Sequence, residues 1–403
     1  MKIRQPLSLY LHIPFCISKC RYCDFLSAPS TGQERAAYTD LLCREIRQQA
    51  LRFTEKVRVD TVFFGGGTPS LLTPDEFGRI MDALWESFSI DSGAEISMEA
   101  NPGTLTWENA VRYRQEGVNR LSLGVQSFDD KTLRFLGRIH TADEAREAFL
   151  LARSAGYRNI SIDLMSALPG QTPEAFRRDL EAAADLSPEH LSVYSLIPEE
   201  GTPLGDAYLA AEGTGEPPAG FPALPDEDTD RAIYHFTKAY LEERGYARYE
   251  ISNYAREGHV CRHNLGYWTD HDYLGFGRGA ASRLFDLRLK NPEDPQEYDR
   301  YVMFLEREAG APAYEAREVE KTPLTEAEQM EEYMFLGLRC IDGVSEAAFE
   351  TRFQRQMQEV YGDVIRRHVG TGLLARKDGR IALTDCGLDV ANRVMADFLL
   401  SIS

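Results

Sequence analysis

Three of the chain's seven cysteines crowd one short stretch: Cys16, Cys20 and Cys23, spaced C-x-x-x-C-x-x-C in YLHIPFCISKCRYCDF, 10–25. Thiolates are soft ligands for iron and zinc. A zinc knuckle repeats a C-x-x-C pair or adds paired histidines, and this spacing does neither. A cubane iron–sulfur cluster normally takes four thiolates, one on each iron. Three local thiolates would leave one iron open to a substrate or cofactor. Packing alone has no need for that density of thiols beside an exposed turn. Cys43, Cys340 and Cys386 lie in helical or mixed segments and read as packing residues.

Other residues could serve such a centre. Gly65-Gly66-Gly67-Thr68-Pro69 follows an apolar run, and glycines let the backbone approach a ligand and offer N–H groups to an anionic end. The turn lacks the Lys-Ser/Thr of a P-loop and the spaced glycines of a dinucleotide site. Glu99 and Asp163 could accept hydrogen bonds from an ammonium group or from ribose hydroxyls. Their plainer role is capping or ion pairing. Arg138 offers a planar fork to a carboxylate. Gln126 is ambiguous by type alone.

The elements that must position these residues alternate. Short apolar runs at Leu7–Ile13, Thr61–Phe64, Glu95–Met98, Leu121–Val125, Ile160–Leu164 and Leu191–Leu196 read as strands. Helical patterns separate them, with Thr73-Pro74 and Thr172-Pro173 as N-terminal signals and Thr106 as a cap. Repeated strand–helix–strand crossovers build a parallel sheet with helices outside. Six such units predict a partial (β/α)6 barrel over 1–197. Sites in barrels gather at the C-terminal ends of strands. The cysteine loop, the glycine turn, Glu99, Gln126 and Asp163 all fall there.

Residues 198–324 predict a Pro/Gly-rich loop to about Asp228, a helix Thr229–Arg244 and an irregular aromatic stretch. A strand Leu284–Leu289 and a helix Asp294–Glu308 follow. This mixed α/β middle segment leads to a C-terminal winged-helix-like domain, 325–403. That domain has helices, a hairpin turning at Asp378-Gly379, and a last helix Gly387–Leu400. Nine Lys/Arg stand against thirteen Asp/Glu in it, so nucleic acid is not an expected partner. The whole chain carries a net charge of −19 over 403 residues, which says the same. No apolar run reaches the roughly 20 residues of a membrane helix. The odd cysteine count and the absence of a signal-like start fit a reducing cytoplasm.

HIPFCISKCRYC, GGGTP, EISMEANP, GVQSF and DLMSALPGQT occur in this order. Together they resemble the radical S-adenosylmethionine (SAM) superfamily, in its coproporphyrinogen dehydrogenase-like branch, over nearly the whole chain. The resemblance implies that Cys16, Cys20 and Cys23 hold a [4Fe–4S] cluster whose open iron is chelated by SAM. It implies that Tyr10, Gly66 and Glu99 contact that SAM. Tyr22, Gly67, Thr68, Gln126, Arg138 and Asp163 match positions associated with a second SAM.

The chain departs from the oxidases of that branch in two ways. Their motif continues to a further cysteine where this chain has Phe25, and they extend further ahead of the first strand. Both departures match the branch's haem-chaperone members. His263-Asn264-Leu265-Gly266-Tyr267-Trp268 fits the H-N-x-x-Y-W signature of those members, which is linked to haem binding. A neutral imidazole can ligate haem iron, and Tyr267 and Trp268 offer flat apolar faces. Cys261 and His259 are alternative ligands. By type alone, His263 and Trp268 could equally fix an irregular loop. The implied function is a cytoplasmic haem chaperone that passes haem, its cargo, to acceptor haemoproteins, those of the respiratory chain among them. Peripheral membrane contact and a homodimer are compatible with it. The alternative is a coproporphyrinogen III oxidase-like or other radical SAM enzyme acting on a tetrapyrrole or small molecule.

Overall fold

The computed structural model describes residues 6–211, 216–284 and 286–400. β1 (Leu7–Ile13) leads into the cysteine loop, whose two ends, β2 (Phe15–Cys16) and β3 (Ala28–Pro29), pair with each other. The alternation then runs α1 (Gly32–Ala50), β4 (Arg58–Gly66), α2 (Pro74–Ser87), β5 (Ser89–Ala100), α3 (Trp107–Gln115) and β6 (Arg120–Gln126). It continues with α4 (Asp130–Leu136), α5 (Ala142–Ser154), β7 (Ile160–Ser166), α6 (Pro173–Asp185) and β8 (His190–Ser195). Strands β1, β4, β5, β6, β7 and β8 lie side by side in that order, all parallel. This is the partial barrel that the sequence predicts. Local chemistry starts its helices where expected: Thr31, Thr73 and Thr141 close capping boxes with Glu34, Glu76 and Glu144.

The strands alternate in a way that matters. On β6, Leu121 and Leu123 pack outward in the core, while Arg120, Ser122 and Gly124 line the inside. On β7, Ile160, Ile162 and Leu164 join the core, and Ser161 and Asp163 face inward. A filled barrel places bulky branched side chains at its inward positions. Here those positions hold serine, arginine and acids, so the centre stays hollow.

The sheet does not stop at the boundary drawn at 197. The expected loop contains α7 (Pro203–Ala211), and residues 212–215 lie outside the described residues. After α8 (Glu227–Glu243), β9 (Ala247–Arg248) and β10 (Asn253–Ala255) extend the sheet antiparallel beyond β8. α9 (Arg262–Trp268) then crosses to the other edge, where β11 (Tyr273–Phe276) pairs parallel with β1. β12 (Ala281–Leu284), β13 (Leu287–Lys290), α10 (Pro295–Arg307) and β14 (Glu320–Pro323) follow, and the three strands complete a twelve-stranded sheet. The expected strand Leu284–Leu289 is therefore an antiparallel pair, with residue 285 outside the described residues. Strands of two to four residues carry too few positions to show a period, which is why the sequence read as irregular here.

The C-terminal unit has its own core around Phe349, Tyr361 and Val394. It comprises α11 (Glu326–Gly337), β15 (Val344–Ser345), α12 (Glu346–Phe353), α13 (Met357–Gly370) and the hairpin β16 (Leu374–Lys377)–β17 (Arg380–Leu383). The expected final helix is two short ones, α14 (Asp385–Leu388) and α15 (Ala391–Ala396). Asp270 ties this unit to the sheet by accepting from Arg283 at 2.6 Å and Arg352 at 3.1 Å.

A buried acid joins the first helix to the far edge of the barrel. Glu45 on α1 accepts from the Gly277 amide at 2.8 Å, Tyr298 at 2.6 Å, Asn291 at 2.8 Å and Gln49 at 2.9 Å. Replacing Glu45 by alanine orphans these donors. The Glu45→Ala protein is expected to lose about 3 kcal/mol of stability, measured by urea unfolding, while Glu45→Gln loses less because one carbonyl oxygen still accepts.

Candidate functional site

The cysteine loop is held by backbone. Gly67 N–H donates to the Ile13 carbonyl at 2.9 Å and Thr68 N–H to the Phe15 carbonyl at 2.7 Å. A Cβ on Gly67 would lie 2.6 Å from the Phe15 oxygen. Gly66 has φ +109, and a Cβ there would meet the His12 ring at 2.5 Å. Only glycine fits both positions. Gly66 N–H donates to Glu99 Oε2 at 3.2 Å. The Gly66, Gly67 and Thr68 amides, expected from the sequence to face an anion, are thus used within the protein, and they fix the loop instead.

Cys16 Sγ accepts from Thr68 Oγ1 at 3.4 Å, and Cys20 Sγ accepts from Arg138 Nη1 at 3.5 Å. Arg138 also donates to the Gly124 carbonyl, and its buried Nε has no partner among the described residues. A guanidinium beside a sulfur favours the thiolate that a metal centre requires. No three His, Cys, Asp or Glu side chains among the described residues converge on one ion. A cubane does not ask for that, because each thiolate binds its own iron. Three unbridged, half-buried thiols on one loop, two of them in contact with donors, fit a [4Fe–4S] cluster.

The thiols open onto a cavity of about 590 Å³ that runs down the hollow barrel. Tyr22, Gly66, Gly67, Thr68, Glu99, Gln126, Arg138 and Asp163 all line it, and so does Asn264. Phe25 stands at its mouth, 64% exposed. Burial, with Asp163 nearby, raises the Glu99 carboxyl to about 8. Burial also raises Asp163, to about 6, against the hydrogen bonds from Ser122 and Ser161 that pull it down. Gln126 holds a left-handed backbone at φ +73 and accepts from Tyr194 OH at 2.8 Å.

The remaining expected residues are placed differently. Tyr10 does not line the cavity. Its hydroxyl meets His12 Nδ1 at 3.0 Å, and its ring stacks on Phe63, which does line it. Phe63 in turn stacks on His263, with ring centroids 5.0 Å apart. His263 is fully engaged: Nδ1 meets Thr61 Oγ1 at 2.9 Å and Nε2 meets Tyr267 OH at 3.0 Å. Burial lowers its pKa to about 3, so the imidazole is neutral. The amides of Arg262 and His263, at the start of α9, donate to Glu95 at 3.2 and 3.1 Å. α9 therefore closes the lower end of the barrel, held by inward residues of β4 and β5. Cys261 faces the lumen and donates to Glu95 at 3.6 Å. Trp268 lies apart, in a groove with Phe335, Leu336 and Met395 of the C-terminal unit, beneath the Arg339 guanidinium.

Ser97, Arg120, His190, Ser192, Tyr194 and Asn253 also line the cavity and were not singled out from the sequence. The signal was present. Strands of a parallel sheet buried on both faces read as near-continuous apolar runs, whereas RLSLGVQ, ISIDLMS and HLSVYS alternate. Alternation inside a (β/α) pattern marks a lumen rather than a packed centre.

Comparison with known proteins agrees with this geometry. The radical SAM superfamily model matches residues 10–183, and a HemN C-terminal domain model matches residues 324–390. The chain is 35% identical to the heme chaperone HemW of Lactococcus lactis over 99% of this chain and 98% of that protein. It is 41% identical to the heme chaperone HemW of Escherichia coli over 69% of this chain and 70% of that one. Its fold resembles the crystal structure of coproporphyrinogen III oxidase (HemN) from Escherichia coli. That match has a TM-score of 0.81 and 26% identity, covering 98% of this chain and 90% of the oxidase chain. The chain belongs to the radical SAM superfamily and, within it, to the family of the heme chaperone HemW.

Proposed function

We propose that the protein is a haem chaperone: it binds haem and passes it to apo-haemoproteins, with a [4Fe–4S] cluster at Cys16, Cys20 and Cys23 and SAM in the upper lumen. The observation that carries this reading is the likeness to proteins named heme chaperone over 99% of the chain. Cys16, Cys20 and Cys23 would hold the cluster, which would supply one electron if SAM is cleaved reductively. The chain's own residues do the rest. The glycine turn fixes the loop, and Arg138 supports Cys20.

Glu99 has a further part. With a pKa near 8 it is protonated at neutral pH. An ammonium group brought beside it favours the carboxylate and expels the proton. SAM binding is therefore expected to tighten as pH rises toward 8 and to release a proton at pH 7. Calorimetry in buffers of different ionisation enthalpy reads that proton directly. Unchanged proton release in Glu99→Gln would show that Glu99 is not the group involved.

For haem, His263 is the proposed iron ligand, in its neutral form. Its Nε2 is held by Tyr267, so capture requires that hydrogen bond to open and α9 to shift. His263→Ala is expected to weaken haem binding about tenfold or more, followed by the Soret band. Tyr267→Phe frees Nε2 and is expected to speed haem association. If both variants bind haem as the parent protein does, the ligand lies elsewhere, with Cys261 and His259 next in order.

The oxidase-like fold supports a second reading, catalysis on a porphyrinogen. SAM-dependent loss of coproporphyrinogen by the reconstituted protein, with no stable haem complex, would favour it over the chaperone.

A further inference from the structure

Besides Arg138 Nε near the thiols, three buried polar atoms of lumen-lining residues are left without a partner among the described residues. Ser97 Oγ, Arg120 Nη2 and Asn253 Oδ1 have no hydrogen-bond partner among the described residues, and all three side chains line the cavity. They are 1%, 2% and 8% exposed. Ser97 and Arg120 are register partners on β5 and β6, and Asn253 enters from β10 beside β8. The amide of Asn253 is oriented, because its Nδ2 donates to Glu250 Oε1 at 2.6 Å. The carbonyl oxygen is therefore the atom left over.

Arg120 is the charged member, with Glu95 and Asp163 as its acidic neighbours. Its Nη1 donates to the His259 carbonyl at 3.0 Å and to Asn159 Oδ1 at 3.2 Å. Glu95 lies 3.9 Å from that same Nη1, longer than a hydrogen bond, and already accepts from the α9 amides. A buried guanidinium is stabilised by an anion in direct contact. Water in a polar cavity supplies the hydrogen bond but not the charge. His190 nearby cannot be that partner: both its ring nitrogens are bonded, to Ser161 and Tyr249, and burial keeps it neutral.

We propose that this lower part of the lumen is a carboxylate-binding site, whose occupant is either a free small carboxylic acid or the carboxylate arm of a larger ligand. One carboxylate oxygen accepts from Arg120 Nη2 and Ser97 Oγ, and a water bridges the carboxylate to Asn253 Oδ1. Arg120 opens β6 at the end opposite the cysteine loop. The seven-residue strand spans roughly 20 Å at about 3.3 Å per residue. The site is thus separate from the thiols, though continuous with them through one cavity. The free-acid form stands apart from the chaperone reading, whereas a haem propionate as occupant rests on it.

The test titrates acetate, and acetamide as its neutral counterpart, into the full-length protein by calorimetry. Haem and haem dimethyl ester are compared in parallel by the Soret band. Acetate is expected to saturate a site that acetamide does not fill. Ser97→Ala, which removes only the unpaired hydroxyl, and Asn253→Asp, which adds a like charge, should each weaken acetate about tenfold while melting cooperatively. If a haem propionate is the natural occupant, the ester binds about tenfold more weakly than haem and acetate competes with haem. If a free acid is, haem and ester bind alike. Two results overturn the proposal: no saturable acetate binding with haem and ester equal, or acetate affinity unchanged in both folded variants. A missing Soret band with acetate still bound would sink the chaperone reading and leave this site intact.

Discussion

Two backbone hydrogen bonds, from Gly67 to Ile13 and from Thr68 to Phe15, decide where everything else can sit. They press the turn after β4 against the first residues of the cysteine loop, so closely that a side chain on Gly67 would collide with backbone. The loop cannot swing away from the barrel mouth, and its three thiols stay above the lumen. Gly66, with its φ of +109, lets the same turn direct an amide at Glu99 on β5. Loop, turn and acid form one unit because the contact is between backbones, which no change of rotamer relaxes.

Beneath that unit the barrel departs from the usual way of filling a barrel. Apolar side chains pack outward against the helices, and the inward positions carry serines, acids and arginines. Stability must then come from outside the lumen. The outer core supplies it, together with buried polar anchors such as Glu45 and the Asp270 cluster. The net charge of −19 resides on a surface rich in acids, yet two guanidinium groups, Arg120 and Arg138, are kept in the cavity. A low-dielectric chamber with fixed cations strengthens any anionic contact made inside it.

The helix at the bottom, α9, is part of the same construction. Glu95 holds its first amides and Thr61 holds His263, so inward residues of the barrel determine the state of the H-N-x-x-Y-W segment. Phe63 touches both the lumen and the His263 ring. The upper and lower ends of the lumen therefore share a wall at Phe63. Phe25 at the mouth adds an exposed apolar surface where the related oxidases are expected to carry a further thiol.

Much of this was legible in the chain itself. The cysteine spacing, the glycine turn, the six strand–helix units and the threonine caps are local patterns, set by neighbours a few residues apart. Such patterns survive in a linear sequence because the physics that causes them is local. The cysteine loop, the glycine turn, Glu99 and Gln126 could be placed at one rim by chain order alone. Tertiary structure decided what depends on distant segments meeting. It joined β11 to β1 and β10 to β8, which turned an apparent linker into both edges of the sheet. It closed the barrel floor with α9 and tied up both nitrogens of His263. It also left Ser97, Arg120 and Asn253 facing an empty volume. No single segment encodes a void, because a void is what remains after every strand has chosen its partner.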